Sequence, residues 1–82
     1  MNLEIYIADP SLPLPEIFRR QAEFWRASAA RWREYARRAF DQKDLAQVVF
    51  CGQSAHERVL WAEQAERDMK RALDISSRFP AL

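Results

Sequence analysis

His56 is the only histidine in this sequence of 82 residues. On a helix it would have Glu57 beside it and Glu63 two turns on, and antiparallel packing would bring Glu23 toward Glu63. Carboxylates around an imidazole are raw material for a metal site or a general acid/base pair. Metal sites in helical bundles use Glu-x-x-His elements on facing helices, and here Gln53 stands three residues before His56. Nothing nearby supplies a nucleophile or an oxyanion site. The plainer reading is a partly exposed helix histidine, with a helical enzyme or metal protein centred on His56 kept as the alternative. Cys51, in an apolar run and without a cationic neighbour, reads as a small core residue. One glycine in the whole chain leaves no phosphate loop. The expectation is therefore no catalytic residue, no metal and no cofactor.

The arginines of the first half are a stronger candidate. Arg19, Arg26 and Arg33 recur every seven residues and, with Arg37, form one stripe on a helix. Arg20, Arg31 and Arg38 flank it, while Glu16, Glu23 and Glu34 neutralise only part of the charge. Arginine suits bidentate contacts to phosphate or carboxylate, so the stripe is a candidate anion, nucleotide or nucleic-acid surface. The competing and preferred reading is a solvated face whose arginines pair with acids of a second helix and shield tryptophan with their stems. The chain as a whole carries a net charge of +1 from 13 basic and 12 acidic residues, which makes nucleic acid a less favoured partner than protein.

These residues need helices to position them. Nearly half the chain is apolar and three residues are tryptophan, so it can collapse, and the lone glycine argues against a turn-rich β-fold. A lone cysteine forms no intramolecular disulfide, and no stretch approaches the roughly 20 apolar residues of a membrane span. The prediction is one cytoplasmic domain with no membrane partner.

The pattern predicts an all-α antiparallel helical hairpin of two long helices. Pro15 suits a first helical position and Glu16 the positive end of the helix dipole, which places helix one over residues 15–41. Phe18, Ala22, Trp25, Ala29, Trp32, Ala36 and Ala39 follow alternating spacings of four and three. Asp44 and Gln47 resemble a capping box that starts helix two, over residues 44–77. Leu45, Val48, Gly52, Ala55, Val59, Ala62, Met69 and Leu73 form its seam, with Glu66 the polar interruption. A turn centred near residues 42 and 43 sets Trp32 against Gly52 and Ala55, and Trp25 against Val59 and Ala62, large against small. Ser54 and Glu57 make a second capping-box match, so a break near Gly52, giving three helices, is the alternative. Five acid-to-base i,i+4 pairs, Glu16–Arg20, Glu34–Arg38, Glu63–Arg67, Glu66–Lys70 and Asp74–Arg78, support helices on the outer faces.

Before the helices, residues 1–14 read as a short extended N-terminal arm and Pro-rich linker. Leu3, Ile5 and Ile7 alternate with Asn2, Glu4 and Tyr6, and the prolines at 10, 13 and 15 delay the helix. With no second strand in the chain, the arm must lie against the helices or pair with another chain.

The hairpin has more apolar surface than it can hide. Phe24, Tyr35 and Phe40 on helix one and Val49, Phe50, Leu60 and Trp61 on helix two lie off the seam. Leaving a large side chain exposed forfeits about 1.5–3 kcal/mol. The prediction is a homodimer or higher oligomer completed as a four-helix bundle, with Leu3, Ile5, Ile7 and these seven residues as its interface. The function that follows is a non-catalytic protein–protein interaction module: an adaptor, a structural subunit or a small inhibitor of a larger complex.

The run Asp44-Leu45-Ala46 through Phe50-Cys51-Gly52-Gln53-Ser54-Ala55-His56-Glu57-Arg58-Val59-Leu60-Trp61-Ala62 resembles the second-helix region of HEPN domains, helical bundles associated with RNA cleavage or nucleotide transfer. The likeness covers about a quarter of the chain and consists of alanine-rich helix spacing. That family's Arg-x(4–6)-His is absent, because no arginine stands five to seven residues before His56. Trp32, Tyr35 and the alanines equally resemble a tetratricopeptide hairpin, without a second repeat. Membership of neither family follows.

Overall fold

A computed structural model describes residues 4–79 as an extended arm followed by two helices, α1 (Leu14–Asp41) and α2 (Leu45–Arg78), packed as an antiparallel hairpin. There is no strand among the described residues. Pro13 caps α1 without a side-chain bond, and its carbonyl accepts from Glu16 and Ile17, so the helix begins one residue earlier than proline placement suggests. Asp44 caps α2 by accepting from the Gln47 backbone N–H at 3.2 Å. The Asp44 N–H itself donates to the Ala39 carbonyl, which ties the cap of one helix to the end of the other. Lys43 makes the turn at φ 59°, a left-handed position taken by a lysine. Its N–H donates to the Phe40 carbonyl.

The helices meet along a line of small side chains. On α1 the buried positions are Ala22, Ser28, Ala29 and Ala39, with Phe18, Trp25, Trp32 and Ala36 half-buried between them. This is the seam read from the spacing. On α2 the line runs through Val48, Cys51, Ala55, Arg58, Ala62, Ala65, Met69 and Ala72, again at alternating spacings of three and four. That corrects the expected seam. Gly52, Leu45 and Leu73 face solvent, and a Cβ added to Gly52 would meet nothing within 4 Å. The rotation follows from bulk: presenting Cys51, Ala65 and Ala72 to the tryptophan-bearing helix permits closer approach than presenting Leu45 and Leu73. α2 is continuous, so the break near Gly52 does not occur; Ser54 and Glu57 lie inside the helix.

The molecule is one layer of two helices, with extents of 57 × 20 × 13 Å, and its thinnest dimension is close to the 10–12 Å diameter of a single helix. The radius of gyration is 16.3 Å, against about 12 Å for a compact domain of this length. Among the described residues no large apolar side chain is fully buried, and the largest residue below 2% exposure is Ser28. Among the described residues, no helix is long and apolar enough to cross a membrane.

Candidate functional site

The two faces of the hairpin differ in character. One carries the arginine stripe. Arg19 pairs with Glu16 and Glu23, Arg26 reaches across to Glu66 on α2, and Arg37 pairs with Glu34 and Asp41. Among the described residues Arg33 alone of the four makes no ion pair. Most of this neutralisation is within α1, and only Arg26–Glu66 crosses between helices. Glu16–Arg20, Glu34–Arg38 and Asp74–Arg78 form as the i,i+4 spacing predicts. Glu63–Arg67 and Glu66–Lys70 do not, because Glu66 turns to Arg26 and Arg67 donates to Gln64. His56 is exposed on the outer side of α2, and no cluster of three or more metal-ligating side chains occurs among the described residues. Cys51 is a free, buried thiol.

The opposite face is aromatic. Trp25 meets Trp61 edge-on at 4.6 Å between ring centroids, Phe24 meets Trp25 at 4.9 Å, and Trp32 contacts Tyr35 at 5.5 Å and Phe50 at 5.8 Å. The tilted and edge-to-face geometry is the favourable one for aromatic pairs. Arg58 joins the two groups: its guanidinium lies 5.2 Å from the Trp32 ring centre and 5.0 Å from that of Trp61. An arginine held between tryptophan faces gains cation–π attraction of about 0.5–2 kcal/mol per contact.

Arg58 occupies a seam position, where within the helices its only acidic neighbour among the described residues is the exposed Glu57 at 3.8 Å. The arm supplies the partner. Residue 4 crosses the groove between the helices, and the Glu4 carboxylate accepts from Trp32 Nε1 at 2.8 Å and Arg58 Nε at 3.3 Å through one oxygen, and from Ser28 Oγ and Arg31 Nη2 through the other. Arg58 also donates to the Ser54 carbonyl one turn back. Glu4 and Arg58 are only 16% and 15% exposed at their side chains. Burial pushes the Glu4 carboxyl up, but the hydrogen bonds from Ser28, Trp32 and Arg31 and the charge of Arg58 outweigh it and hold the group at about 2. Small side chains make the notch: Ser28 and Ala29 on α1 and Ser54 and Ala55 on α2 are all buried at this level.

The arm then runs toward the start of α1. Tyr6 stacks on Phe24 at 5.8 Å and its hydroxyl donates to the Ile17 carbonyl at 3.1 Å. An Asp9 turn, in which the Asp9 carboxylate accepts from Ser11 N–H and Oγ, leads into Pro13. The arm is extended and lies on the helices, as alternation predicts, but on the unexpected side. Glu4 and Tyr6 point inward, while Ile5 and Ile7 point to solvent, Ile7 at 85% exposure. The polar side wins because Glu4 gives Arg58 a closer and more buried counter-charge than the exposed Glu57 at 3.8 Å and satisfies Ser28 and the Trp32 indole N–H, which apolar side chains there would leave unpaired.

Of the ten residues expected at an interface, Leu3 lies outside the described residues and Phe24 is half-buried under Tyr6. Ile5, Ile7, Tyr35, Phe40, Val49, Phe50, Leu60 and Trp61 are exposed. Ile5, Ile7, Tyr35, Phe50 and Trp61 gather on the face that carries the arm. Phe40 flanks an open hollow at the turn with Leu45, and Trp32, Tyr35, Phe50 and Cys51 wall a second one of about 390 Å³. Leu14, Ile75 and Phe79 are further exposed apolar residues, joined by Leu45 and Leu73, which the spacing had placed on the seam.

Sequence reasoning did not single out Glu4, Ser28 or Arg58. A signal existed for Arg58, which falls on the line Cys51, Ala55, Ala62, Ala65 at heptad spacing, where a charge demands a counter-charge. Comparison of the chain with protein-family models, with curated proteins and with solved structures finds no match.

Proposed function

We propose that this chain is a non-catalytic protein–protein interaction module whose hairpin pairs with a second copy to form a four-helix bundle, and that the paired form serves as an adaptor, structural subunit or small inhibitor of a larger assembly. The observation that carries this reading is the location of the large apolar side chains: among the described residues thirteen remain exposed, and the buried set consists of seven alanines, a cysteine and two serines. Burial of a methyl contributes about 0.8 kcal/mol, while burial of a large side chain contributes about 1.5–3 kcal/mol. These exposed side chains therefore hold hydrophobic free energy that the single hairpin does not gain.

The exposed area supports a second copy as the cover. The chain exposes 6328 Å², whereas a compact monomer of its mass exposes about 5,100 Å². The excess exceeds the roughly 800 Å² that each partner contributes to a standard interface. Pairing through the aromatic face would put Tyr35, Phe50 and Trp61 between two layers of helices, in the usual bundle arrangement.

The test is the concentration dependence of thermal unfolding, followed by circular dichroism over a hundredfold range of protein. A paired fold melts higher as concentration rises. A Trp61→Asp or Phe50→Asp chain should lose that dependence while keeping helical signal at high concentration. A melting temperature independent of concentration in the unmodified chain would remove self-pairing from the account.

A further inference from the structure

The notch between the helices is more than a fastening for the arm. We propose that Ser28, Arg31, Trp32 and Arg58 form a carboxylate-binding site that Glu4 fills in the free chain and that an acidic residue on an extended segment of a second polypeptide can fill instead. The inference does not require self-association of the hairpin; pairing would cover the same aromatic face, so the site is open to a second polypeptide in the unpaired chain.

The donor set belongs to the helices, not to the arm. Two guanidinium groups, one indole N–H and one hydroxyl converge on both oxygens of one carboxylate. The Ser28 side chain is 0% exposed and points into the notch, and Arg58 is fixed between Trp32 and Trp61. Arg31 and Arg58 both face the Glu4 carboxylate, whereas the exposed Glu57 approaches only Arg58, from 3.8 Å. Charge-assisted bonds from a preorganised set of this kind are the strong class of hydrogen bond.

The arm, in contrast, is lightly held. Beyond Glu4 its described anchors are the Tyr6 hydroxyl on the Ile17 carbonyl and the Tyr6–Phe24 ring contact. Ile5 and Ile7 bury little against the helices. A competing segment that presents a carboxylate and also covers Tyr35, Phe50 or Trp61 would gain contacts that the arm leaves unmade. The tether gives Glu4 an effective concentration in the millimolar range, which sets the threshold a competitor must exceed.

The experiment uses the full chain with Glu4→Ala and, as probe, an N-acetylated synthetic peptide of residues 2–9 alongside the same peptide carrying Glu4→Gln. Binding is followed by the Trp32 indole N–H resonance, with the mass of the protein recorded at the same concentration so that pairing and peptide binding are read separately. The expected result is binding of the glutamate peptide to the Glu4→Ala chain, at least tenfold weaker binding of the glutamine peptide, and at least tenfold weaker binding of the glutamate peptide to the unmodified chain. Equal binding of the two peptides, or no binding to a folded Glu4→Ala chain, overturns the proposal. Should that variant not fold, the unmodified chain decides: the Trp32 indole resonance must move as the Glu4 carboxyl is protonated in acid, and a resonance that stays fixed overturns it.

Discussion

Replacing Glu4 by glutamine keeps the shape of the side chain and removes the charge that Arg58 requires. In the hairpin the Glu4 carboxyl is held at about 2 where a free glutamate sits at 4.5. At about 1.4 kcal/mol per pH unit, that gap caps the preference for the charged form at roughly 3 kcal/mol. The side chain is 16% exposed, so solvent screening trims the cap without removing it. Glutamine retains an acceptor for Trp32 Nε1 or Ser28 Oγ but leaves a half-buried guanidinium with only the exposed Glu57, at 3.8 Å, as counter-charge, so the expected loss is about 2 kcal/mol. For a chain whose total stability falls in a range of about 4–12 kcal/mol, that is a sizeable part. It corresponds to a drop in melting temperature of about 10 °C. Urea unfolding at fixed protein concentration measures it directly. Glu4→Gln combined with Arg58→Met completes a double-mutant cycle, in which the coupling should exceed about 1 kcal/mol because the two groups are in contact. A loss below about 0.5 kcal/mol for Glu4→Gln, or additive losses in the cycle, would refute the reasoning that the arm is held by charge.

Further outcomes follow from the same geometry. Glu4 and Glu16 are both held at about 2, Glu4 by the notch and Glu16 by hydrogen bonds from Arg19 and Arg20. Their folded values lie below their unfolded ones, so the unfolded chain binds more protons between pH 4.5 and 2, and stability is full above that window and falls as pH drops through it. Acid titration of the unfolding free energy should show this slope, reduced in the Glu4→Gln chain. Gly52→Ala should raise stability by about 0.5–1 kcal/mol, because a helical glycine gains a Cβ that meets nothing; a lower melting temperature would place Gly52 back on the seam. Ala62→Leu, at a position with no exposure, should cost about 1–3 kcal/mol by forcing the helices apart, and an unchanged melting temperature would contradict the close approach described for this seam.

The helices were legible in the sequence because their signals are local. Pro15, the Asp44 cap and the alternation of Trp25, Ala29 and Trp32 locate α1, the turn and one seam to within a residue or two. The rotation of α2 was not, because two lines of small and apolar residues, one through Gly52 and one through Cys51, have the same three-four spacing, and only the facing helix chooses between them. The arm's inward side was hidden for a related reason. Period-two alternation identifies two faces, and the apolar one is the natural candidate for burial, but Arg58 on the seam reverses that preference by requiring a carboxylate. The Glu4 contacts span 24 to 54 residues in sequence, a separation at which spacing carries no signal. The apolar surplus, by comparison, could be read early. A single layer of two helices has only one mutual seam, so Tyr35, Phe50, Leu60 and Trp61 had no place within it.

The central claim is that this hairpin is half of a bundle, and the most direct measurement of it is the mass of the purified chain by light scattering at micromolar concentration. The account predicts about twice the 9.7 kDa of one chain, falling toward a single copy when Trp61 or Phe50 is replaced by aspartate. A mass of one chain across the accessible concentration range, with a cooperative unfolding transition, would contradict it.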